Sequence, residues 1–163
     1  MKQRRWSIDN AAGSVTFAAT SSVHAIRASG GASGWFEAAF DDTGFFPRSA
    51  VQGRLEVPVA DLSSGNPLVD REMRRRVETT THPLIVAEIQ STEATSKDTA
   101  KITGTIRFLD AETLVEGELN LLPGPRIAGV GEFDVRWWGL QPPRLLMLRV
   151  DPIVTVEIDL LLT

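Results

Sequence analysis

Few residues in this chain combine the type and the spacing that covalent chemistry needs. Cysteine and tyrosine are both absent, which excludes thiolate catalysis, disulfides and cysteine-based zinc sites and removes a common acid/base group. The two histidines, His24 and His82, fall in different segments without metal-ligand spacing. A general base needs a positioned partner, so a structural role is expected for each. Gly31-Ala32-Ser33-Gly34 lacks the spacing of a nucleophile elbow, and Gly30-Gly31 lacks that of a phosphate loop; both read as loop. Asp41-Asp42 beside Thr43-Gly44 fits a solvated hairpin turn better than a carboxylate pair. No catalytic residue, metal ligand or cofactor is assigned.

Three other groups of residues carry more information. Arg71, Arg74, Arg75 and Arg76 form a basic run, and guanidinium groups bind phosphate bidentately. Asp70, Glu72 and Glu78 lie close by, and a charge run interspersed with opposite charges is more often a solvated helix face with internal pairing. Gly104, Gly117, Gly129 and Gly131 keep step with the apolar residues of their segments. An inward glycine withholds side-chain volume and leaves a cavity, or it relieves crowding at a bulge or bend. Trp137-Trp138-Gly139 supplies a large apolar pair for a barrel mouth or for the core.

These residues sit on segments dominated by period-two alternation. Leu55, Val57 and Val59 alternate with polar neighbours, as do Ile102, Gly104, Ile106 and Phe108. So do Val115, Gly117, Leu119 and Leu121, then Ile127, Gly129, Gly131, Phe133 and Val135, and finally Val154, Val156 and Ile158. Weaker strands fit 14–19, 23–28, 35–40 and 84–91. Each has one wet and one dry face, the mark of antiparallel strands around one interior. One segment departs from this. Asn66 can cap a helix that opens on Pro67, Val69, Met73 and Val77 form its apolar stripe, and His82-Pro83 ends it. Roughly ten strands with one short helix predict an all-β, antiparallel barrel, because closure removes exposed edges. The helix would plug or flank one mouth.

The 163 residues are expected to form a single domain, 1–163. The formal net charge of −4 argues against nucleic acid as the main partner. Basic residues up to Arg5 are followed at once by polar ones, so no secretory signal is expected. The apolar runs at 145–148 and 160–162 are too short to span a bilayer. A cytoplasmic location without stable membrane insertion is the expectation.

In order and spacing the chain resembles the YceI-like family, lipocalin-fold proteins that bind polyisoprenoids. Trp6-Ser7-Ile8-Asp9 and Ser14-Val15-Thr16-Phe17 are similar to that family's opening strands. Gly53 to Asp61 followed by Leu62-Ser63-Ser64-Gly65-Asn66 resembles its long strand and serine-glycine turn. Asp70-Arg71-Glu72-Met73-Arg74 falls at its helix, and His82-Pro83-Leu84-Ile85 and Ile102-Thr103-Gly104-Thr105-Ile106 at two later strands. The chain departs at Val69, where an arginine is usual, at Gly13, at Asp110-Ala111-Glu112-Thr113 and at Trp138-Gly139. The resemblance implies a lipocalin-like barrel that carries or sequesters an isoprenoid or similar lipid, with no covalent step. Its expected ligand-binding residues are Leu55, Val57, Ile102, Gly104, Ile106, Phe108, Gly117, Leu119, Gly129, Phe133 and Trp138. Arg71 and Arg75, four apart on one helix face, are expected nearest the head group. A homodimer is compatible with this reading. Two alternatives stand beside it: an enzyme using His24 or His82 at the barrel mouth, and a filled barrel serving as an interaction module.

Overall fold

Alternating apolar and polar residues leave each segment with one face to bury, and the backbone meets its hydrogen-bonding needs by pairing with its neighbours. The computed structural model describes residues 2–9, 13–21, 25–41, 44–45, 51–77, 84–96, 98–108, 111–122, 126–138, 144–145 and 148–163. His24 and His82 lie outside them, as do 123–125 and Asp42 and Thr43 of the turn at 41–44. The strands are β1 (Lys2–Ser7), β2 (Ser14–Ser21), β3 (Ala25–Gly30), β4 (Ser33–Asp41), β5 (Gly44–Phe45), β6 (Gln52–Pro58), β7 (Leu84–Ala94), β8 (Thr99–Phe108), β9 (Ala111–Leu122), β10 (Arg126–Asp134), β11 (Arg144–Leu145) and β12 (Leu148–Leu161). A helix, α1 (Pro67–Val77), separates β6 from β7, and single 3-10 turns lie at Val59–Asp61 and Val135–Trp138.

All pairings are antiparallel, in the order β1-β4-β6-β7-β8-β9-β10-β12-β2-β3, with β5 on β4 and β11 on β12. The sheet curls until the residues that end β1 reach those that end β12. Ile8 bridges Leu162, and Ser7 and Thr163 exchange both backbone hydrogen bonds at 2.8 Å. The antiparallel barrel with one helix, expected from the alternation, is the fold observed.

The helix starts as its cap residue dictates. Asn66 Oδ1 accepts the amides of Leu68 (3.0 Å) and Val69 (3.4 Å), and Pro67 occupies the first turn, where a missing N–H costs nothing. Val69 is buried and Met73 packs against the core. The side chains of Arg76 and Val77 are outside the description. The basic run begins beside a buried carboxylate, Asp70. It accepts the Ser64 amide at 2.8 Å, the Ser64 hydroxyl at 2.6 Å and the Ser63 hydroxyl at 3.2 Å. This clasp holds the loop before the helix, and Ser63 in turn exchanges backbone hydrogen bonds with Ser29 of β3 (2.9 and 3.0 Å). Val15, Val59 and Leu160 are almost wholly buried; together with Ile8, Ala28, Ala32, Leu62 and Leu162 they belong to one dry core.

Burial alone would raise the Asp70 pKa. The hydrogen bonds from Ser64 and Ser63 and the charge of Arg74 outweigh that effect and hold it below the usual carboxylate range. The lowered folded-state value means that the ionised clasp stabilises above the unfolded pKa and loses this advantage as pH falls through the folded one. Asp70→Ala is expected to destabilise by about 2 kcal/mol near neutral pH, the scale of hydrogen bonds to a charged group. Urea denaturation at pH 7 and pH 3 should show the difference from the parent protein shrinking at the acid end. A difference that grows at pH 3 would contradict the ionised clasp.

Candidate functional site

Leu119, Gly129, Ile158 and Val15 are successive register partners, and so are Ile102, Gly117, Gly131, Val156 and Phe17. The apolar residues of neighbouring strands are thereby brought to one concave side. There they line a partly open cavity of about 160 Å³. Its apolar walls come from β4 (Phe36), β6 (Gly53, Leu55), β7 (Ala87, Ile89), β8 (Ile102, Gly104, Ile106), β9 (Val115, Gly117, Leu119), β10 (Ile127, Gly129, Gly131, Phe133) and β12 (Val156, Ile158, Leu160), with Ile8 beside them; Arg54, Glu88, Glu116, Glu118 and Glu132 also border it.

Of the residues singled out from the sequence, Leu55, Ile102, Gly104, Ile106, Gly117, Leu119, Gly129 and Phe133 line this space. Val57 and Phe108 do not; both are buried in the packed core. Strand parity places them inward, but it does not say where along the barrel the interior is filled. The side chain of Trp138 is outside the description. Arg71 and Arg75 are not brought to the cavity either. Both are exposed on α1, and Arg75 is committed to Glu72 through bonds of 2.6 and 3.1 Å. Sequence reading missed Ile8, Phe36, Gly53, Ala87 and Ile89. It also left Val115, Gly131, Val156 and Ile158 out of the site, although the same alternation marks them as inward.

The glycines serve both purposes weighed for them. Gly104 pairs with Ile89 where the β7–β8 register shifts between Ile89 and Ser91. A Cβ there would stand 2.4 Å from the Glu88 carbonyl oxygen, so the bulge presses backbone against backbone. Gly131 differs, because its added Cβ would meet nothing nearer than the Glu116 carbonyl at 3.3 Å. The Gly117–Gly131 pair is also where β9 and β10 part company. Beyond it β9 runs back to Ala111 paired with β8, and β10 runs on to Asp134 paired with β12. The cavity is lined from both banks of this divergence, by Val115 and Glu116 on one side and by Glu132 and Phe133 on the other.

Among the described residues no three His, Asp or Glu side chains group as a metal site. Asp134 is held below the usual carboxylate range chiefly by hydrogen bonds from the Arg136 side chain. The pair lies within one strand end and its 3-10 turn, outside the cavity lining. The aliphatic, aromatic and glycine lining suits an apolar guest.

The contrast between the two glycines is testable by chemical denaturation. Gly104→Ala should cost about 2–3 kcal/mol through the backbone clash, on the scale of overpacking. Gly131→Ala should cost less than about 1 kcal/mol, the usual range for a substitution its surroundings accommodate. Equal losses would mean that the bulge is not what requires Gly104.

The same fold recurs in solved structures of low sequence identity. Burkholderia cenocepacia BcnA matches with a TM-score of 0.78 at 12% identity, covering 94% of this chain and 98% of that one. A polyisoprenoid binding domain from Saccharophagus degradans, implicated in plant cell wall breakdown, matches with a TM-score of 0.70 at 15% identity, covering 95% of each chain. The Campylobacter jejuni YceI protein matches with a TM-score of 0.57 at 10% identity, over 78% of this chain and 79% of that one. No curated relative matches the chain by sequence. The model of the YceI-like domain matches residues 6–162, nearly the whole length, and the chain belongs to that family.

Proposed function

We propose that this protein binds an isoprenoid or similarly apolar lipid in its barrel and carries or sequesters it without covalent change. The cavity carries this reading: aliphatic, aromatic and glycine positions from seven consecutive strands of the sheet converge on one space. Membership of the YceI-like family supports it, as does the likeness in fold to a polyisoprenoid binding domain.

Size refines the proposal. A dry protein cavity of about 150 Å³ accommodates one benzene, so a space of about 160 Å³ holds one end of a long isoprenoid and not its whole length. The rest of the chain needs a way out of the barrel. The divergence of β9 from β10 beyond Gly117 and Gly131 offers one that breaks no ladder hydrogen bond. Each 100 Å² of ligand surface withdrawn from water contributes about 2.5 kcal/mol, so even a partly enclosed tail gives useful affinity.

Organic extraction of the purified protein followed by mass spectrometry should release an isoprenoid or related lipid. Val115→Trp fills the cavity from the bank of the divergence, where space is available. It is expected to leave the thermal midpoint within a few degrees while lowering the affinity for farnesol at least about tenfold, the equivalent of 1.4 kcal/mol. Farnesol binding equally well to the folded variant would remove the cavity from consideration.

A further inference from the structure

Arg4 of β1 stands on the apolar side of the sheet. The register pairs Phe36 with Trp6 and Ala38 with Arg4, so these four side chains share a face, and Phe36 and Ala38 are 2% and 0% exposed in the core. From Phe36 the same face runs through Gly53 and Ile89, Leu55 and Ala87, Ile106 and Thr113, Gly104 and Val115. It continues through Leu119 and Gly129, Phe133 and Val154, Phe17 and Ala28. Among the described side chains followed in this way, all are uncharged except Arg4.

Arg4 also differs in its partners. Four outward arginines answer carboxylates: Arg5 to Glu37 at 3.1 Å, Arg54 to Glu56 and Glu88 at 3.0 and 2.6 Å, Arg27 to Glu157 at 3.8 Å, and Arg126 to Asp159; Arg107, outward on β8, forms no ion pair among the described residues. No carboxylate among the described residues pairs with Arg4. Its guanidinium lies 3.8 Å from the centre of the Trp6 ring, and Trp6 packs against the core as the cross-strand neighbour of Phe36, a cavity-lining residue. Arg4 itself is exposed. A charge without a carboxylate partner is therefore held over an aromatic face on the inward side of β1, beside the cavity-lining Phe36 though not itself in the lining.

We propose that Arg4, stacked on Trp6, forms an oxyanion subsite that holds the anionic head group of an amphiphile whose tail enters the cavity. This rests on the lipid-binding reading above and moves the head group from the helix, where Arg71 and Arg75 are exposed and Arg75 is paired with Glu72, to β1. Guanidinium groups donate to phosphate or carboxylate in a fork that an alcohol cannot match.

The test compares farnesyl phosphate with farnesol by calorimetric titration at matched salt, on the parent protein and on Arg4→Gln, Arg4→Lys and Arg71→Ala/Arg75→Ala. The parent should bind the phosphate about tenfold or more tightly than the alcohol, and added salt should erode that preference. Arg4→Gln should abolish the preference and leave farnesol affinity unchanged, whereas Arg4→Lys should keep most of it. A preference that survives Arg4→Gln, or equal losses for both ligands, overturns the assignment. Loss of preference only in Arg71→Ala/Arg75→Ala returns the head group to the helix. Neither ligand binding the parent would sink the lipid reading itself. Farnesol binding without any gain from phosphate sinks only the subsite. Should Arg4→Gln fail to fold, Arg4→Lys and the salt titration of the parent decide: a preference insensitive to salt overturns the proposal.

Discussion

The backbone exchange between Ser7 and Thr163 is the contact on which the architecture turns. β12 pairs with β10 along one edge, and its other edge is divided between β2 and, at the very end, the residues that follow β1. A sheet left open there would expose a long row of unpaired donors and acceptors. With the seam in place, Ile8 is buried and the Asp9 amide donates to Leu161 O at 3.0 Å. The inward parity of Trp6 and Arg4 is set by the pairing of β1 with β4.

The two faces of the sheet carry different physics. Outside, charges answer one another across strands, as Arg54 does with Glu88 and Arg5 with Glu37; such exposed pairs contribute little stability each but keep the outer surface wet. Inside, the core is filled near Val15, Val59 and Leu160 and left open between Ile102, Gly117, Gly129 and Ile158. The glycines reconcile strong curvature with that opening. Gly104 admits the bulged backbone of β7, and Gly34 adopts a positive φ of 140° opposite Leu55, where an added Cβ would clash with the Arg54 carbonyl oxygen at 1.9 Å. Curvature tight enough to close the barrel and the small residues that open its interior are thus the same feature.

The helix has a mechanical part. Asp70 draws Ser63 and Ser64 together, Ser63 is bonded to β3, and Val69 and Met73 lie against protein. The basic run that follows is spent largely on its own surroundings. Arg75 answers Glu72, and Arg74 lies near Asp70 and reaches the Leu62 carbonyl at 3.5 Å. A cluster that looks like an anion clamp in sequence is, in space, partly helix-surface pairing and partly loop support.

What the sequence determined by itself is whatever depends on near neighbours along the chain. The period-two alternation gives strands with one dry face, because successive side chains point to opposite sides. Asn66-Pro67 starts the helix, because an amide oxygen can replace the missing acceptor of the first turn. The inward positions of Gly104, Gly117 and Gly129 and of Ile102 and Ile106 follow from the same parity. Only the tertiary structure decided which inward residues line open space and which fill the core. Val57 and Ile106 share a parity, yet one is packed and the other faces the cavity, because that depends on the opposite wall. Nor could parity on β1 mark Arg4: Lys2, Gln3, Arg4 and Arg5 read as a polar stretch until the pairing of Arg4 with Ala38 shows which side is dry. That pairing joins residues 34 positions apart, and it is set by curvature and closure, which no local pattern encodes.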